Sequence, residues 1–106
     1  MNKVFVTKFQ AEWNFGPASK YGEVVFLTDK EHRPEPVVAT YNERVTKEIM
    51  RGMADYIPTE DYIVMTAAAI PNMITAMLLQ EMQGPHNVLR WNNQTKTYDL
   101  YKVNRL

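Results

Sequence analysis

The stretch at residues 61–84, DYIVMTAAAIPNMITAMLLQEMQG, constrains the fold more than any other part of the sequence. Residues 62–66 are apolar at nearly every position, which is typical of a strand covered on both faces. Residues 71–83 have apolar side chains around about half of a helical circumference. Pro71 suits the first helical position, and Gly84 suits the position just beyond the helix. A buried strand that turns at once into an apolar helix predicts an α/β fold with parallel strands.

The other predicted strands are short β-branched and aromatic segments. Residues 3–9 and 22–28 have this composition, and residues 86–91 and 96–103 flank a polar NNQT turn in a hairpin pattern. The predicted element order is β-β-α-β-α-β-β in a single α/β domain over residues 1–106. Right-handed crossovers then give a small Rossmann-like sheet with three parallel strands, antiparallel edge strands and two principal helices. In this arrangement the first strand is antiparallel to the second.

The first principal helix is predicted at about residues 41–55. Thr40 and Glu43 have the spacing of a capping box, in which each side chain pairs with an unsatisfied amide at a helix start. Gly52 lies beside the apolar stripe of this helix, although glycine costs about 1 kcal/mol of helix propensity relative to alanine. Gly52 therefore indicates a close approach to the sheet, or else a glycine that is merely tolerated.

Charge and composition exclude several classes of protein. The 106 residues contain twelve basic and twelve acidic side chains, so no overall field attracts the chain to nucleic acid or to an anionic membrane. The absence of cysteine excludes disulfides and thiolate metal sites and favours an intracellular protein. The N-terminus lacks the pattern of a signal peptide, and the apolar run of residues 65–79 is shorter than the roughly 20 residues that cross a bilayer. We therefore expect a cytoplasmic protein without a membrane segment.

The best predicted place for a ligand is the edge where the parallel strands end. Ligands of open parallel sheets lie beyond the carboxyl ends of the strands, and a helix start there offers amides and partial positive charge to an anion. Thr66 and Asn72 would donate hydrogen bonds, Lys30 would neutralise a phosphate, and Trp91 would stack on a base. The full predicted set is Thr28, Asp29, Lys30, Thr66, Ala67, Ala68, Asn72 and Trp91. The alternative is a purely structural corner, because any tight turn from strand to helix needs small residues.

Two other segments resemble functional motifs only superficially. The GPASK segment lacks the glycine before lysine and the Ser or Thr after it that a phosphate-binding loop requires, and the packing of Trp13, Phe15 and Tyr21 is its better interpretation. Residues 29–35, DKEHRPE, contain carboxylates and His32 but no metal-ligand spacing, so a solvated charged loop is the better interpretation there. We expect neither a metal nor a cofactor, and an enzyme is the less favoured class.

The order of KYGEVVFLT, EDYIVMT, a helix that ends in glycine, and NVLRW with KTYDLYKV resembles a pattern of small tailed-bacteriophage proteins that have no assigned function. This resemblance covers nearly the whole chain and implies a phage product acting in the cytoplasm of a host bacterium. The second half is also similar in element order to small CRISPR-associated Rossmann-like domains that bind cyclic oligonucleotides. Those domains often have glycine after the strand, where this chain has Ala67, Ala68 and Ala69.

The function we expect is that of a small accessory protein that acts by binding a host protein or a second copy of itself. Edge strands leave backbone donors and acceptors unpaired, and residues 3–9 and 96–103 carry apolar groups that a homodimer would cover. One alternative is a nucleotide- or anion-binding module for a phosphate-containing small molecule, with sequestration of that molecule against host defence as its role. Another alternative is a small hydrolase or nuclease.

Overall fold

A computed structural model describes residues 2–10, 12–28 and 38–104, the last range with side chains from residue 43 onward. Within these ranges the structure has five strands, two α-helices and one 3-10 helix. In chain order these are β1 (Lys3–Val6), the 3-10 helix (Gly16–Tyr21), β2 (Glu23–Phe26), α1 (Val38–Gly52), β3 (Tyr62–Val64), α2 (Ala69–Gln80), β4 (His86–Asn92) and β5 (Thr97–Val103).

The strands form one mostly parallel sheet in the order β2-β1-β3-β4-β5. β3 lies in the middle, as predicted from its apolar sequence. The prediction that β1 is antiparallel to β2 is wrong, because Lys3–Val6 pairs in parallel with Glu23–Phe26 and also with β3. The sheet therefore has four parallel strands instead of three, and β5 is its antiparallel strand. β1 is an interior strand and contributes no edge for association.

The connection between β1 and β2 explains this difference. A parallel pair needs a crossover of roughly a dozen residues or more, and residues 7–22 provide one that includes the 3-10 helix. The step from β1 to β2 moves across the sheet in the direction opposite to the steps from β2 to β3 and from β3 to β4. Crossovers of one hand that move in opposite directions must lie on opposite sheet faces. The 3-10 helix accordingly lies on one face, and both α-helices lie on the other.

Each sheet face carries its own apolar cluster. On the α-helical face, Phe5 and Ile63 are fully buried against Val45, Ile49 and Met53 of α1 and the segment after it, with Leu27, Tyr56 and Leu79. On the opposite face, Val4, Val6, Val64, Leu89 and Tyr98 pack with Phe15 and Ala18. Trp13 and Tyr21 are partly buried against this second cluster, so their predicted packing role is confirmed. The alternation of side chains along β1 and β3 supplies both clusters at once.

The helix boundaries differ from those predicted. α1 begins at Val38, so Thr40 lies within the helix and not at its N-cap. α2 begins at Ala69, with Ala68 as its N-cap, which places Pro71 within the first turn, where backbone N–H groups have no helical partner. α2 ends at Gln80 with Glu81 as its C-cap, so Gly84 is not the residue that terminates it. None of the helices in the described ranges is long and apolar enough to cross a membrane.

Two glycines allow close approaches of the backbone. A Cβ atom on Gly52 would lie 2.6 Å from Leu27 Cδ2, so α1 does approach the end of β2 closely. Gly22, with a φ of 156°, is more restricted, because a Cβ atom there would lie 2.2 Å from the backbone oxygen of Asn2. Gly22 thus lets β2 begin directly beside the chain that enters β1.

The β4–β5 hairpin is confirmed, and the side chain of Asn92 organises its turn. Asn92 Oδ1 accepts hydrogen bonds from the backbone amides of Gln94 and Thr95. The amide of Lys96 donates to the Asn92 carbonyl, and Lys96 itself has a positive φ of 57°. The polar turn residues therefore match the backbone geometry that the hairpin requires.

The Asp61 carboxylate connects β1, β3 and the end of the α1 region. Asp61 is only 4% exposed. Its Oδ1 accepts from the backbone amide of Lys3 at 2.9 Å, and its Oδ2 accepts from the amide of Ile57 at 2.8 Å. Its backbone oxygen accepts from the Asn87 side chain on β4. Buried carboxylates are tolerated when charge-assisted hydrogen bonds replace water.

A buried Tyr56–His86 pair joins the same region to β4. Burial, together with the Asp61 carboxylate, raises the pKa of Tyr56, so the phenol keeps its proton. His86 Nε2 lies 2.9 Å from the Leu79 carbonyl, which can only accept, and therefore carries a hydrogen. His86 Nδ1 is then the acceptor for the Tyr56 hydroxyl, at 2.6 Å. The two hydrogen bonds thus pair four polar groups, which are the Tyr56 hydroxyl, both ring nitrogens of His86 and the Leu79 carbonyl.

We predict that Asp61→Asn lowers the free energy of unfolding by about 2–4 kcal/mol. The side-chain NH₂ of the asparagine would face the backbone amide of either Lys3 or Ile57, both of which now donate to the Asp61 carboxylate. Chemical denaturation measures this change. Glu60→Gln, which alters the exposed neighbouring carboxylate, serves as the matched control and should change stability by less than about 0.5 kcal/mol. Similar unfolding midpoints for the two variants would contradict the role given to Asp61.

Candidate functional site

The turn between β3 and α2 lies beside the end of β1, because the two strands are parallel neighbours. Thr7 follows β1 and Thr66 lies just after β3, and both are buried. Their hydroxyl oxygens lie 3.1 Å apart, and the Thr7 amide donates to the Val64 carbonyl. The sheet thus brings two threonines together where the predicted ligand site begins.

Asn72, on the first turn of α2, completes this polar cluster. Its Oδ1 accepts from the Thr7 hydroxyl at 2.6 Å and from the Thr66 amide at 3.1 Å. Its Nδ2 donates to the Thr66 carbonyl at 2.5 Å. Because the single Thr7 hydroxyl proton goes to Asn72, the Thr66 hydroxyl is the donor in the contact between the two threonines. Asn72 therefore ties the start of α2 to the ends of β1 and β3.

The backbone amides of the turn also have partners within the protein. The amide of Ala67 donates to Gln10 Oε1 at 2.9 Å, and that of Ala68 donates to the Thr66 hydroxyl at 3.3 Å. Pro71 has no amide hydrogen, so the first turn offers at most the amides of Ala69 and Ile70 to an anion. Ala67 is exposed, but its amide is already engaged. An anion at this turn stays a prediction, with fewer available donors than the sequence indicates.

The remaining predicted ligand residues lie in different places. Thr28 is buried, and its hydroxyl donates to the Thr7 carbonyl at 3.2 Å, so it joins the threonine cluster indirectly. Thr28 also lines an open cleft of about 590 Å³ with Phe9, Phe26 and Arg51. Asp29 and Lys30 lie outside the described residues, as does the His32 segment considered as a metal site. Within the described ranges, no three His, Cys, Asp or Glu side chains group to hold a metal ion.

Trp91 lies on the sheet face that carries the 3-10 helix and not at the turn before α2. It packs with the cluster of Val4, Val6, Val64 and Leu89 and meets Tyr98 edge to face at 5.1 Å. With Glu12, Trp13, Asn14 and Tyr98 it lines a cavity of about 400 Å³. The structure therefore separates Trp91 from Thr66 and Asn72 and joins it to another group of aromatic residues.

Thr7 and Gln10 are the turn residues that sequence reasoning missed. Both follow β1, which was predicted to run antiparallel to β2 and so to end at the opposite edge of the sheet. The length of the connection at residues 7–22 was the available signal, because a crossover of this size permits a parallel pair. With β1 parallel, the polar residues after it belong to the same edge as Thr28 and Thr66.

A second surface, the outer side of α2, is apolar. The exposed positions of this helix are Ala69, Ile70, Met73, Ala76, Met77 and Gln80, so only one of the six is polar. Met73 is 63% exposed and Met77 is 67% exposed. A solvent-facing helix side normally carries charged and polar residues. α2 therefore has one apolar side in the core and another that nothing in the described chain covers.

This apolar helix side continues onto the sheet. Val88 on β4 is directly opposite Tyr101 on β5, and His86 is opposite Val103, so all four side chains lie on the α-helical face. Tyr101 is 45% exposed and Val103 is 49% exposed. Met73, Met77, Val88 and Val103 line a groove of about 780 Å³ between α2 and the β4–β5 hairpin. We call the surface formed by Met73, Met77, Val88, Tyr101 and Val103 the α2–β5 surface.

The charged side chains of β5 turn toward its neighbour β4. Lys102 Nζ donates to Asn87 Oδ1 at 3.0 Å, and Asp99 Oδ2 accepts from Asn92 Nδ2 at 2.9 Å. β5 is the last strand of the sheet, so its outer backbone groups have no strand partner among the described residues. Exposed edges in soluble proteins are commonly protected by outward charges. Here the two charged groups form hydrogen bonds to β4 within the hairpin and do not point outward from the edge.

Comparison with known proteins links the chain to a phage family. Residues 2–105 match the model of a family described as "Phage Pam3 gp32-like protein". No curated protein matches the chain, and no solved structure matches it. The phage resemblance seen in the sequence is thereby confirmed across nearly all of the chain.

We predict that Asn72→Ala lowers the free energy of unfolding by about 1–3 kcal/mol, because it leaves the Thr66 carbonyl without its side-chain donor in a part-buried site. Denaturation curves measure the change. Gln83→Ala, which truncates an exposed amide shortly after α2, is the control and should be nearly neutral. Equal stability of the two variants would show that the Asn72 contacts contribute little.

Proposed function

This chain belongs to the Phage Pam3 gp32-like protein family, and on that premise we propose that it is a small phage accessory protein that acts by binding. The proposed partner is a second copy of the chain, and the proposed contact is the α2–β5 surface. The proposed location is the cytoplasm of the host bacterium.

The observation that carries this proposal is the apolar outer side of α2. Five of its six exposed positions are apolar, including two methionines that are each more than 60% exposed. Methionine side chains are flexible and polarisable, and they are common at surfaces that adapt to a partner. Large contiguous apolar patches are rare on monomeric proteins and mark sites of association.

Three features favour a second copy as the partner. The chain has a formal net charge of zero, so two copies do not repel each other through net charge. The α2–β5 surface contains no charged side chain, so its self-contact buries no unpaired charge. A two-fold axis perpendicular to the sheet makes an edge strand antiparallel to its own copy, so β5 can extend the sheet across a symmetric dimer.

The lengths of α2 and β5 set the extent of the proposed contact. α2 has 12 residues and β5 has seven, which correspond to lengths of about 18 Å and about 23 Å. A stable interface typically buries about 800 Å² on each partner. The proposed contact runs along both elements, with the partner's methionines in the groove between them. A host protein that places an apolar segment in the groove is the alternative occupant.

We further propose that the sheet is a small Rossmann-like sheet. The order β2-β1-β3-β4-β5 corresponds to one of the two common orders of doubly wound sheets, and the connections leave on both sides of the sheet. In such sheets the ligand lies where successive connections diverge, which here is the gap between β1 and β3. This position supports the second candidate function, a nucleotide- or anion-binding module at Thr66–Asn72.

We predict that the wild-type chain has twice the mass of a single chain in light scattering at micromolar concentration. Met77→Glu should shift it to the single-chain mass, because each copy would bury a charge in an apolar contact. Met50→Glu is the matched control, since Met50 is also an exposed methionine, 54% exposed, but lies on α1. That variant should remain dimeric.

A wild-type chain that is monomeric at these concentrations would contradict the homodimer. A dimer that survives Met77→Glu would place the contact elsewhere. Far-UV circular dichroism of each variant shows whether the fold is retained, so loss of association can be separated from unfolding.

The anion-binding alternative has its own prediction. If phosphate or a nucleotide binds at the turn, Lys30→Glu should weaken that binding about fivefold or more in calorimetry, because a cation becomes an anion near the ligand. Glu60→Gln, a charge change at the other end of β3, is the control. Affinity that is unchanged in Lys30→Glu, or no binding by the wild-type chain, would leave the turn with a structural role alone.

A further inference from the structure

We propose that the cavity between the 3-10 helix side and the β4–β5 hairpin binds an organic cation, either a quaternary ammonium or a guanidinium group. The cavity is lined by Glu12, Trp13, Asn14, Trp91 and Tyr98 and has a volume of about 400 Å³. Ligand clefts commonly have volumes of about 300–1,000 Å³. It lies on the sheet face opposite α2, so the inference goes beyond the homodimer contact.

The aromatic lining provides the main attraction. Trp91 is only partly buried and meets Tyr98 edge to face, with ring centroids 5.1 Å apart. Trp13 is also partly buried and packs against Phe15 with centroids 6.0 Å apart. Each indole thus has a packed side and an accessible part. Tryptophan is the aromatic residue that attracts a cation most strongly over its ring face.

The charges around the cavity favour a cation over an anion. Glu12 is the charged residue among the five described residues that line it, and its side chain is exposed. The cation–π contact found in the described chain joins Lys20 to Tyr21, neither of which lines the cavity. Among the described residues that line the cavity, the two indoles are therefore accompanied by a carboxylate and by no cationic side chain. A phosphate group would meet Glu12 with like charge.

The lining is held in place by contacts that do not need a ligand. Tyr98 is 3% exposed, and its hydroxyl donates to the Asn14 carbonyl at 3.5 Å. Trp91 and Tyr98 are directly opposite each other on β4 and β5, so the hairpin fixes their spacing. Burial raises the pKa of Tyr98, which keeps the phenol neutral and leaves Glu12 as the charged group among the described lining residues. A preorganised aromatic lining reduces the entropy lost on binding.

The experiment titrates the folded full-length chain with choline and, separately, with methylguanidinium, and follows tryptophan fluorescence. The chain has two tryptophans, and both line this cavity, so the whole indole signal reports on it. The control ligand is 3,3-dimethyl-1-butanol, which has the shape of choline with carbon in place of the charged nitrogen. We expect saturable binding of at least one cation, with the neutral analogue at least about tenfold weaker. The two cation arms distinguish an ammonium ligand from a guanidinium ligand.

A charge variant tests the contribution of Glu12. Glu12→Gln should weaken cation binding about threefold to tenfold by removing the carboxylate from the cavity lining. Glu23→Gln, an exposed glutamate on β2 outside the cavity lining, is the matched control and should bind like the wild type. Both substitutions are at exposed positions, so the fold is retained. The same titration of Met77→Glu shows that the cavity acts independently of the proposed dimer.

The possible outcomes separate clearly. Saturable binding of a cation that exceeds binding of the neutral analogue, and that weakens in Glu12→Gln but not in Glu23→Gln, supports the proposal. Equal binding of choline and the neutral analogue would overturn it in favour of a simple apolar pocket. Absence of a saturable fluorescence change with both cations would also overturn it. An affinity that is unchanged in Glu12→Gln would exclude the carboxylate from the site.

Discussion

The attachment of β1 to β3 is the constraint on which the rest of the fold depends. The two strands pair in parallel, and the residues that flank β3 hold both ends of β1. Asp61, before β3, accepts the amide of Lys3, while Thr66, after β3, contacts the hydroxyl of Thr7. With β1 fixed between β2 and β3, its connection to β2 must cross one face and α1 must cross the other. The two apolar clusters follow from that division.

This attachment also changes the chemistry of the turn before α2. In doubly wound sheets, the gap between diverging connections is the common ligand position, because free amides and a helix start meet there. Here the side-chain oxygens of Asn72 and Gln10 accept hydrogen bonds from the backbone amides of Thr66 and Ala67, so these two amides already have partners at that position. The polar residues stabilise the join between β1, β3 and α2. An anion at the turn is left with at most the amides of Ala69 and Ile70.

Apolar surface left outside the two clusters is the other consequence of this small architecture. α2 covers β3 and part of β4, but the hairpin extends beyond the helix and leaves Tyr101 and Val103 about half exposed. Because α2 is apolar on its outer side as well, the uncovered helix and strand residues join into one surface. On the opposite face, the 3-10 helix covers the centre of the sheet and leaves Trp13 and Trp91 partly accessible. Both surfaces lie beside β5. Their side chains are apolar or aromatic, whereas those of the turn before α2 are polar.

The sequence by itself determined the element types, the central position of β3 and the β4–β5 hairpin, because these follow from local periodicity and turn residues. It did not determine the direction of β1, since a long connection permits either a parallel or an antiparallel pair. Only the tertiary structure decided that Thr7 and Gln10 join Thr66 and Ala67 at one edge, while Trp91 and Trp13 line one cavity on the face that carries the 3-10 helix. The physical reason is that such contacts depend on strand order and on which face each connection crosses. Neither property is encoded in any short segment of the chain.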